Sequence, residues 1–531
     1  MPLALFTLGS LAYGILLPSL GFYWDDWAKI LVGKLHGLNG YWGYYASDRP
    51  LSAWTHILFT PLLGDRPLNW QIFQFGEEIL SAAGFYWVFS LLWPRAKWQI
   101  AAGSMIFLVY PVFTARATAV TFHQQWLQFG LYFLSLGLTL QAVRLWPFAS
   151  RATVWRFWLL SGFSVVFSLA QLSITEYFAP LELLRPLLLW LAIAQNLKKN
   201  QTDVPFDERR RLGLTLQMSA PYLAAIAAYG VWRFFFLHPG SGSDPYSMSM
   251  LFAFFQKPLA TLRTLIPVVL EDSLYSLVTV WGPPLATDPL KNAGLFQVTA
   301  EILSLIAAGF IFVFLLRLAG AEMQDEENQG WRRQALVIGA AAFLLGILPA
   351  WITGRQVVFD YHSDRYALPA MFGASLLWMA FIDWLTPTRL KRAVLVAILI
   401  CLSTGLQLQT ANNNRWLWVS ETRFFWQLSW RVPYLKPGTA LLTYDETFPN
   451  QGLFSLSSAL NLLYPPTPVS ETLPYWWYTL TPRYVDKQIT EPISISFQTQ
   501  FRTLKFSGQT PNTLLVYYDP AISNCLWVIT P

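Results

Sequence analysis

Long, nearly uncharged apolar segments recur through the first 410 or so residues of this 531-residue chain. A helix that crosses the hydrocarbon core of a bilayer needs about 20 predominantly apolar residues. Only 12% of the residues are charged, and the mean hydropathy is +0.38. Soluble domains carry about 25% charged residues, so a surface this poor in charge predicts an α-helical polytopic membrane protein.

About eleven segments are apolar and long enough to be predicted as transmembrane helices. They cover residues 2–20, 70–93, 98–114, 125–143, 157–175, 179–196, 214–237, 294–317, 334–352, 366–385 and 393–410. Residues 263–282 are also apolar, but they include Glu271 and Asp272. This segment is expected to form an interfacial or re-entrant helix, and the alternative is one more span.

The positive charges between the spans predict the orientation, because cytoplasmic loops collect Lys and Arg. The most basic loop contains Lys198, Lys199 and Arg209 to Arg211. The resulting topology has a cytoplasmic N-terminus in a bacterial inner or plasma membrane. Its outer segments are 21–69, 115–124, 176–178, 238–293, 353–365 and everything after 410. The net charge of +6 is spread over these loops, so no nucleic-acid partner is expected.

The sequence changes character after Thr410 and predicts two domains, 1–410 in the membrane and 411–531 outside it. An amphipathic, Trp-rich stretch runs from Arg415 to Arg431. It is followed by short β-like runs separated by Pro and Gly clusters; these are Thr439–Tyr444, Ile493–Phe497 and Thr513–Tyr518. We expect a small extracytoplasmic domain of mixed α/β character.

Two adjacent acids, Asp25 and Asp26, follow the first predicted span in the segment FYWDDW that begins at Phe22. Two carboxylates this close at a membrane surface need water, a cationic partner or a bound cation. Like charges at this separation raise the pKa of one of them, which suits a general base. The alternative is a solvated pair of loop acids framed by interfacial aromatic residues.

Asp48 and Arg49 precede Pro50 in a second polar cluster of the first outer segment. Pro50 suits the first position of a short helix, which Ser47 or Asp48 can cap. Capping with a local ion pair and substrate binding are the two interpretations of this cluster.

Three more polar residues lie in separate outer segments. His123 is a candidate ligand or substrate donor, or else an interfacial hydrogen-bonding residue. Glu176 lies between apolar runs, where an acid is a functional candidate, unless a partner such as Arg116 neutralises it. Arg365 is placed to bind a phosphate with two parallel hydrogen bonds, or to reach lipid headgroups.

These candidates fall on one face of the membrane under a topology derived only from Lys and Arg. Loops that join packed helices converge, so the candidates are expected to line one cavity. They are Asp25, Asp26, His123, Glu176 and Arg365. Glu77 and Glu78 lie inside the second span, and at least one of them should face the bundle interior.

The order of these features resembles the GT-C glycosyltransferases, which include protein O-mannosyltransferases and lipid A aminoarabinose transferases. The similarity is carried by WDDW from Trp24 and DRPL from Asp48, followed by many spans and an outer C-terminal domain. It is strongest over residues 1–190. The segment SDRYALP from Ser363 is similar to the entry of a late span in such enzymes.

The resemblance implies transfer of a sugar from a polyprenyl-phosphate carrier to a glycan, lipid or protein acceptor on the outer face. It implies that the general base in the first outer loop is Asp26 or Asp25, with Asp26 preferred. The reaction would be a single displacement that inverts the anomeric centre. Arg365 would stabilise the phosphate leaving group. The other expected substrate-binding residues are Glu176, His123, Asp48 and Arg49.

A divalent cation, Mg or Mn, held by Asp25 or Asp26 would assist this reaction. Some family members carry a further acid in the second outer loop, where this chain has Arg116 and His123, so the metal requirement stays open. The rival functions are a transporter or flippase of a lipid-linked glycan or other amphiphile, and a non-catalytic membrane scaffold. A glycan ligase or polymerase is a nearer alternative.

Overall fold

The computed structural model describes residues 1–145, 151–200, 208–237, 249–283, 294–320, 329–358, 363–443, 447–448, 450–465, 472–480, 496–519 and 524–529. The chain divides into two compact units. The first unit contains Met1–Ile15, Gln74–Ala115 and Gln124–Thr410, and the second contains Leu16–Phe73, Arg116–His123 and Ala411–Pro531. The second unit contains the residues after 410 together with two earlier segments, and the assignment of 1–410 to the membrane and 411–531 to the outside stays a prediction.

The described α-helices are α1 (Pro2–Ala12), α2 (Asp25–His36), α3 (Gly40–Tyr45), α4 (Ala53–Leu63), α5 (Pro67–Leu92), α6 (Lys97–Val109), α7 (Ala119–Leu145), α8 (Arg151–Leu172), α9 (Arg185–Asn200), α10 (Glu208–Phe235), α11 (Ser249–Gln256), α12 (Pro258–Leu277), α13 (Leu295–Gly320), α14 (Gln329–Ile352), α15 (Met371–Leu385), α16 (Arg389–Arg431) and α17 (Leu453–Leu463). Short 3-10 helices at Gly14–Ser19, Pro50–Ser52, Ala115–Ala117, Glu176–Leu184, Thr279–Trp281, Asp364–Ala370 and Thr510–Asn512 extend or connect them.

Within the described ranges, eight helical segments are long and apolar enough to cross a membrane. They are Ala119–Leu145, Thr153–Leu172, Glu176–Leu197, Pro258–Trp281, Leu295–Leu318, Gly330–Ile352, Asp364–Leu385 and Arg389–Arg431. The chain is therefore an integral multi-pass α-helical membrane protein, as the sequence predicts. Seven of these segments coincide with predicted spans.

The other four predicted spans do not reach this length or apolarity. Helices α1 and α6 have only 11 and 13 residues, while α5 and α10 are long but carry several polar or charged side chains. Conversely, Pro258–Trp281 has 24 residues, which is longer than a short interfacial helix requires. Length and composition therefore favour the alternative that this segment is one more span, and the orientation of the chain stays a prediction.

Helices α14 and α15 pack closely in the first unit because glycines face their contact. A Cβ at Gly373 would lie 2.5 Å from the backbone nitrogen of Phe343, and one at Gly346 would lie 2.6 Å from that of Ala370. Small residues let transmembrane helices approach until their backbones touch. This contact sets the position of the turn that carries Arg365.

A buried ion pair between Glu182 and Arg185 also lies in the first unit. Arg185 Nε donates to Glu182 Oε2 at 2.7 Å, and its two other nitrogens donate to Thr139 Oγ1 at 2.6 Å and Ser135 Oγ at 2.9 Å. The guanidinium also lies 3.8 Å from the ring centre of Tyr222. All three nitrogens of this guanidinium are therefore bonded to protein groups.

Glu77 and Glu78 confirm the expectation that at least one of them faces the bundle interior. Glu78 is fully buried and accepts a hydrogen bond from Gln74 Nε2 at 3.1 Å. Glu77 is 7% exposed and borders a cavity of about 420 Å³ between α5 and α7.

The second unit contains two small β-sheets. Their strands are β1 (Thr439–Thr443), β2 (Thr472–Leu473), β3 (Tyr475–Thr479), β4 (Ser496–Phe501), β5 (Leu504–Gln509), β6 (Thr513–Tyr518) and β7 (Leu526–Ile529). One sheet has the order β3-β1-β6-β7, with β7 antiparallel, and the other has the order β2-β5-β4. Helix α17 connects β1 to β3, so the predicted mixed α/β character is confirmed.

The β-like runs of the sequence correspond to β1, β4 and β6, although Tyr444 and residues 493–495 lie outside the described residues. Strands β2, β3, β5 and β7 were not predicted. The aromatic run of β3, Tyr475 to Thr479, lies against α16 and α17, where Trp477 is fully buried.

A shared hydrophobic core explains why the first outer segment belongs to the second unit. Leu31 of α2, Tyr44 of α3 and Ala53 of α4 form one buried cluster with Trp476 of β3 and Phe506 of β5. Burial of a large apolar side chain contributes about 1.5–3 kcal/mol. Helices α2 to α4 are therefore integral to the second unit, and they bring the acid pair with them.

Candidate active site

The acid pair lies at a backbone turn of unusual conformation. Trp24, which immediately precedes α2, has φ +46° and ψ −126°, a region that residues with a Cβ rarely adopt. Such a residue costs about 1–3 kcal/mol and persists only where its surroundings hold it. The backbone N–H of Trp24 donates to Gln451 Oε1 at 2.8 Å, and its ring stacks on Phe122.

Asp26 is fully buried in the second unit, and protein groups engage both of its oxygens. Its Oδ1 accepts hydrogen bonds from the backbone N–H of Thr121 at 2.9 Å and from the Thr121 hydroxyl at 2.8 Å. Its Oδ2 accepts a longer one, 3.4 Å, from the backbone N–H of Tyr23. Burial raises the pKa of Asp26 to about 7, against the opposing effect of Lys29 and these hydrogen bonds.

Lys29 is a residue of this site that the sequence reasoning missed. Its side chain is 3% exposed, its Nζ donates to Thr121 Oγ1 at 2.8 Å, and Nζ lies 3.9 Å from Asp25 Oδ2. Burial lowers the pKa of Lys29 to about 8, while Asp25 and Asp26 oppose that shift. The sequence signal that could have identified Lys29 is its spacing from the two acids. It lies four residues after Asp25 and three after Asp26, and residues at these spacings share a helix face.

Asp25 differs from Asp26 in that one of its oxygens is not committed. Its side chain is 14% exposed, and Oδ1 accepts no hydrogen bond from the part of the chain that the structure describes. The sequence favoured Asp26 as the base. The geometry favours Asp25, because an acid must have an oxygen within reach of the proton that it accepts.

His123 lies in an aromatic cluster of the second unit. It is fully buried, and its ring centre is 5.2 Å from that of Trp70, 5.8 Å from that of Phe73 and 5.3 Å from that of His56. This environment favours a packing role over a substrate contact. His56 is bonded to the Tyr45 hydroxyl at 2.8 Å, and burial lowers its pKa well below the usual value.

Asp48 pairs with a distant arginine. Arg502, in the turn between β4 and β5, donates to Asp48 Oδ2 at 2.8 Å and to the Tyr44 carbonyl at 3.3 Å. Arg49 precedes the 3-10 helix that starts at Pro50, and no side chain caps that helix. The placement of Pro50 is confirmed, but the expected side-chain cap is wrong, because Asp48 is engaged by Arg502.

Glu176 and Arg365 belong to the first unit, so the cavity expected to join them to the acid pair stays a prediction. Glu176 lies 3.7 Å from Arg233, and a pairing with Arg116 stays a prediction. It forms at the start of the 3-10 helix Glu176–Leu184.

Two arginines of the first unit converge on one phenol. Arg355 Nη1 and Arg365 Nη2 both donate to the Tyr366 hydroxyl, the latter at 3.1 Å. The turn is held by Asp364, which is fully buried and accepts hydrogen bonds from the backbone N–H and the hydroxyl of Thr114. Two guanidinium groups this close form an arrangement suited to an anion.

The residues around the acid pair do not fit a dedicated divalent-metal site. Asp26 is committed to Thr121 and Tyr23, and the ammonium of Lys29 already supplies a positive charge next to Asp25. Among the described residues, no group of three or more His, Cys, Asp or Glu side chains could hold a metal ion.

Comparison with known proteins gives structural similarity but no match of the sequence. No protein-family model and no curated protein matches the sequence. The chain is similar to the crystal structure of ArnT from Cupriavidus metallidurans bound to undecaprenyl phosphate, over 95% of this chain and 97% of that one, with 10% identity and a TM-score of 0.36. At this level of similarity, no residue role is carried across.

Proposed function

We propose that this protein is a membrane glycosyltransferase that moves a sugar from a polyprenyl-phosphate donor to an acceptor at the outer membrane face. The observation that carries the proposal is Asp25, which offers an uncommitted carboxylate oxygen beside the buried ammonium of Lys29 in a multi-pass membrane protein. The acceptor class is a glycan, a lipid or a protein.

The proposed reaction is a single displacement. Asp25 Oδ1 takes the proton of the acceptor hydroxyl while that oxygen forms a bond to the anomeric carbon. The bond from this carbon to the phosphate oxygen breaks, and its electron pair leaves with the phosphate. Attack from the face opposite the phosphate inverts the anomeric configuration.

The phosphate gains negative charge as it leaves, and a fixed cation lowers the barrier of such a step. Arg365 is the proposed phosphate ligand, as the sequence suggested, and Arg355 joins it because both bind the Tyr366 hydroxyl. Lys29 is proposed to provide the positive charge that accompanies Asp25. Asp26 is proposed to hold Thr121, and through it Lys29, in place.

The test is a membrane assay with a panel of polyprenyl-phosphate sugars. Asp25→Asn should lower turnover by a factor of about 1,000 or more, because general-base catalysis contributes about 100-fold to 10,000-fold. Normal membrane insertion and an unchanged unfolding temperature serve as controls. Full turnover in Asp25→Asn would remove it as the base, and no transfer with any donor in the wild type would contradict the proposed function.

A further inference from the structure

The backbone turn that carries the acid pair is held by side chains from the far end of the sequence. Gln451 Oε1 accepts the backbone N–H of Trp24, and Gln451 Nε2 donates to Glu421 Oε1. Glu421 is fully buried and belongs to α16. All of these residues lie in the second unit.

Glu421 determines which end of the Gln451 amide faces Trp24. An amide carries an oxygen acceptor on one side and an N–H₂ donor on the other. Because Glu421 accepts from the N–H₂ group, the oxygen is left for the N–H of Trp24. With the amide reversed, two donors would face each other at a residue whose φ of +46° already requires support.

The other side of the acid pair is also in contact with α16. Trp27 packs against Trp418 and Phe425 of α16, with ring centres 5.9 Å and 6.4 Å apart. Residues on both sides of Asp25 and Asp26 are therefore fixed by C-terminal side chains.

We propose that Glu421 and Gln451 are positioning residues, which hold the Trp24 turn and thereby direct the carboxylate of Asp25 toward its substrate. This inference rests on the proposed role of Asp25 as the base. It assigns a function to residues after 410, whose contribution to the reaction the sequence left open. A displacement of a catalytic group by about 1 Å can lower the rate about 100-fold.

The experiment exchanges the two polar groups in the full-length protein. Gln451→Glu places two carboxyl groups face to face, so kcat should fall about 10-fold to 100-fold while the donor KM changes less than about threefold. Adding Glu421→Gln restores both contacts. The carboxylate now at position 451 accepts from Trp24, as the native amide oxygen does, and it accepts from the amide now at position 421, so donor and acceptor are exchanged only between positions 421 and 451. The double variant should regain kcat to within about threefold of the wild type.

Gln427→Glu is the matched control, since Gln427 also lies on α16 but bonds to Asn524 and Leu526. It should retain kcat within about twofold of the wild type. If Gln451→Glu fails to fold, Glu421→Met replaces it, with loss of kcat at constant KM as the expected result.

Two results would overturn the inference while Asp25→Asn is inactive. One is a Gln451→Glu variant as active as Gln427→Glu, and the other is a double variant no better than Gln451→Glu. An active Asp25→Asn variant would instead refute the proposed base, and the positioning role would fall with it.

Discussion

The ammonium group of Lys29 lies 3.9 Å from the carboxylate of Asp25, one helical turn away on α2, and also donates to the hydroxyl that binds Asp26. A lysine buried to this extent is costly unless its charge is compensated. Here the compensation comes from the two acids. Lys29 is therefore the counter-ion of the acid pair, and its charge state can be tested by measurement.

Lys29 predicts an alkaline limit to activity. Its pKa is lowered to about 8, so the charged form predominates below pH 8 and is lost above it. The rate should therefore fall about tenfold per pH unit above 8. Lys29→Arg should move this limit upward by more than two units, because arginine stays protonated. A pH–rate profile of kcat checks this.

Lys29→Met should lower kcat about 100-fold, by analogy with the loss of one stabilising donor in an active site. Lys34→Met is the control, since Lys34 lies on the same helix but is half exposed and pairs with Asp65. Equal activity of the two variants, or an alkaline limb that Lys29→Arg does not move, would contradict the role given to Lys29.

Arg355 and Arg365 are expected to bind the same phosphate. Arg365→Ala and Arg355→Ala should each raise the donor KM about tenfold or more, since a charge-assisted hydrogen bond contributes about 1.5–3 kcal/mol. In the double variant, the donor KM should rise by less than the product of the two separate increases, because the effects of residues that act on one group are not additive. Donor titrations measure this, with the exposed Arg317→Ala as control. Unchanged donor affinity would exclude the phosphate role.

The ion pair between Asp48 and Arg502 should stabilise the second unit. Both side chains are largely buried, at 7% and 14% exposure. Removing one partner of such a pair costs about 3 kcal/mol, so Arg502→Ala and Asp48→Asn should both lower the unfolding temperature. A substrate contact by Asp48 predicts a different result, in which Asp48→Asn raises KM at an unchanged unfolding temperature. Thermal unfolding and KM together separate the two.

The two cysteines of the chain allow the predicted orientation to be tested without added labels. Cys525 is exposed and Cys401 lies within the apolar part of α16. A membrane-impermeant maleimide should label the wild type in intact cells, and Cys525→Ser should abolish that labelling. Labelling that occurs only after the membranes are opened would place the C-terminal residues in the cytoplasm. It would contradict the proposal that the reaction takes place at the outer face.

Local patterns predicted the parts of this molecule that depend on local physics. Apolar runs identified most of the candidate spans, and two adjacent acids after an apolar run marked the turn at Asp25. From the sequence, Asp25 and Asp26 could be compared only by their adjacent residues. The difference in their hydrogen bonding arises from Thr121, which is 95 residues away from Asp26. Burial and hydrogen bonding from a distant helix decide which acid keeps an available oxygen.

Contacts between distant residues could not be predicted, because they leave no regular spacing. Arg502 contacts Asp48 across 454 residues, and neither side has a motif that indicates the other. The packing of helices α2 to α4 against strands β3 and β5 could not be predicted for the same reason. Their apolar faces gave no indication that strands β3 and β5 would cover them.

The hydrogen bond from Trp24 to Gln451 joins residues 427 positions apart, and this separation has a consequence for biosynthesis. A growing chain exposes Asp25 and Asp26 early, but the glutamine that fixes their turn is translated only near the end. Closing so long a loop is a late and slow event. The nascent protein should therefore reside in the membrane without the proposed transferase activity until its last eighty or so residues have been made and folded.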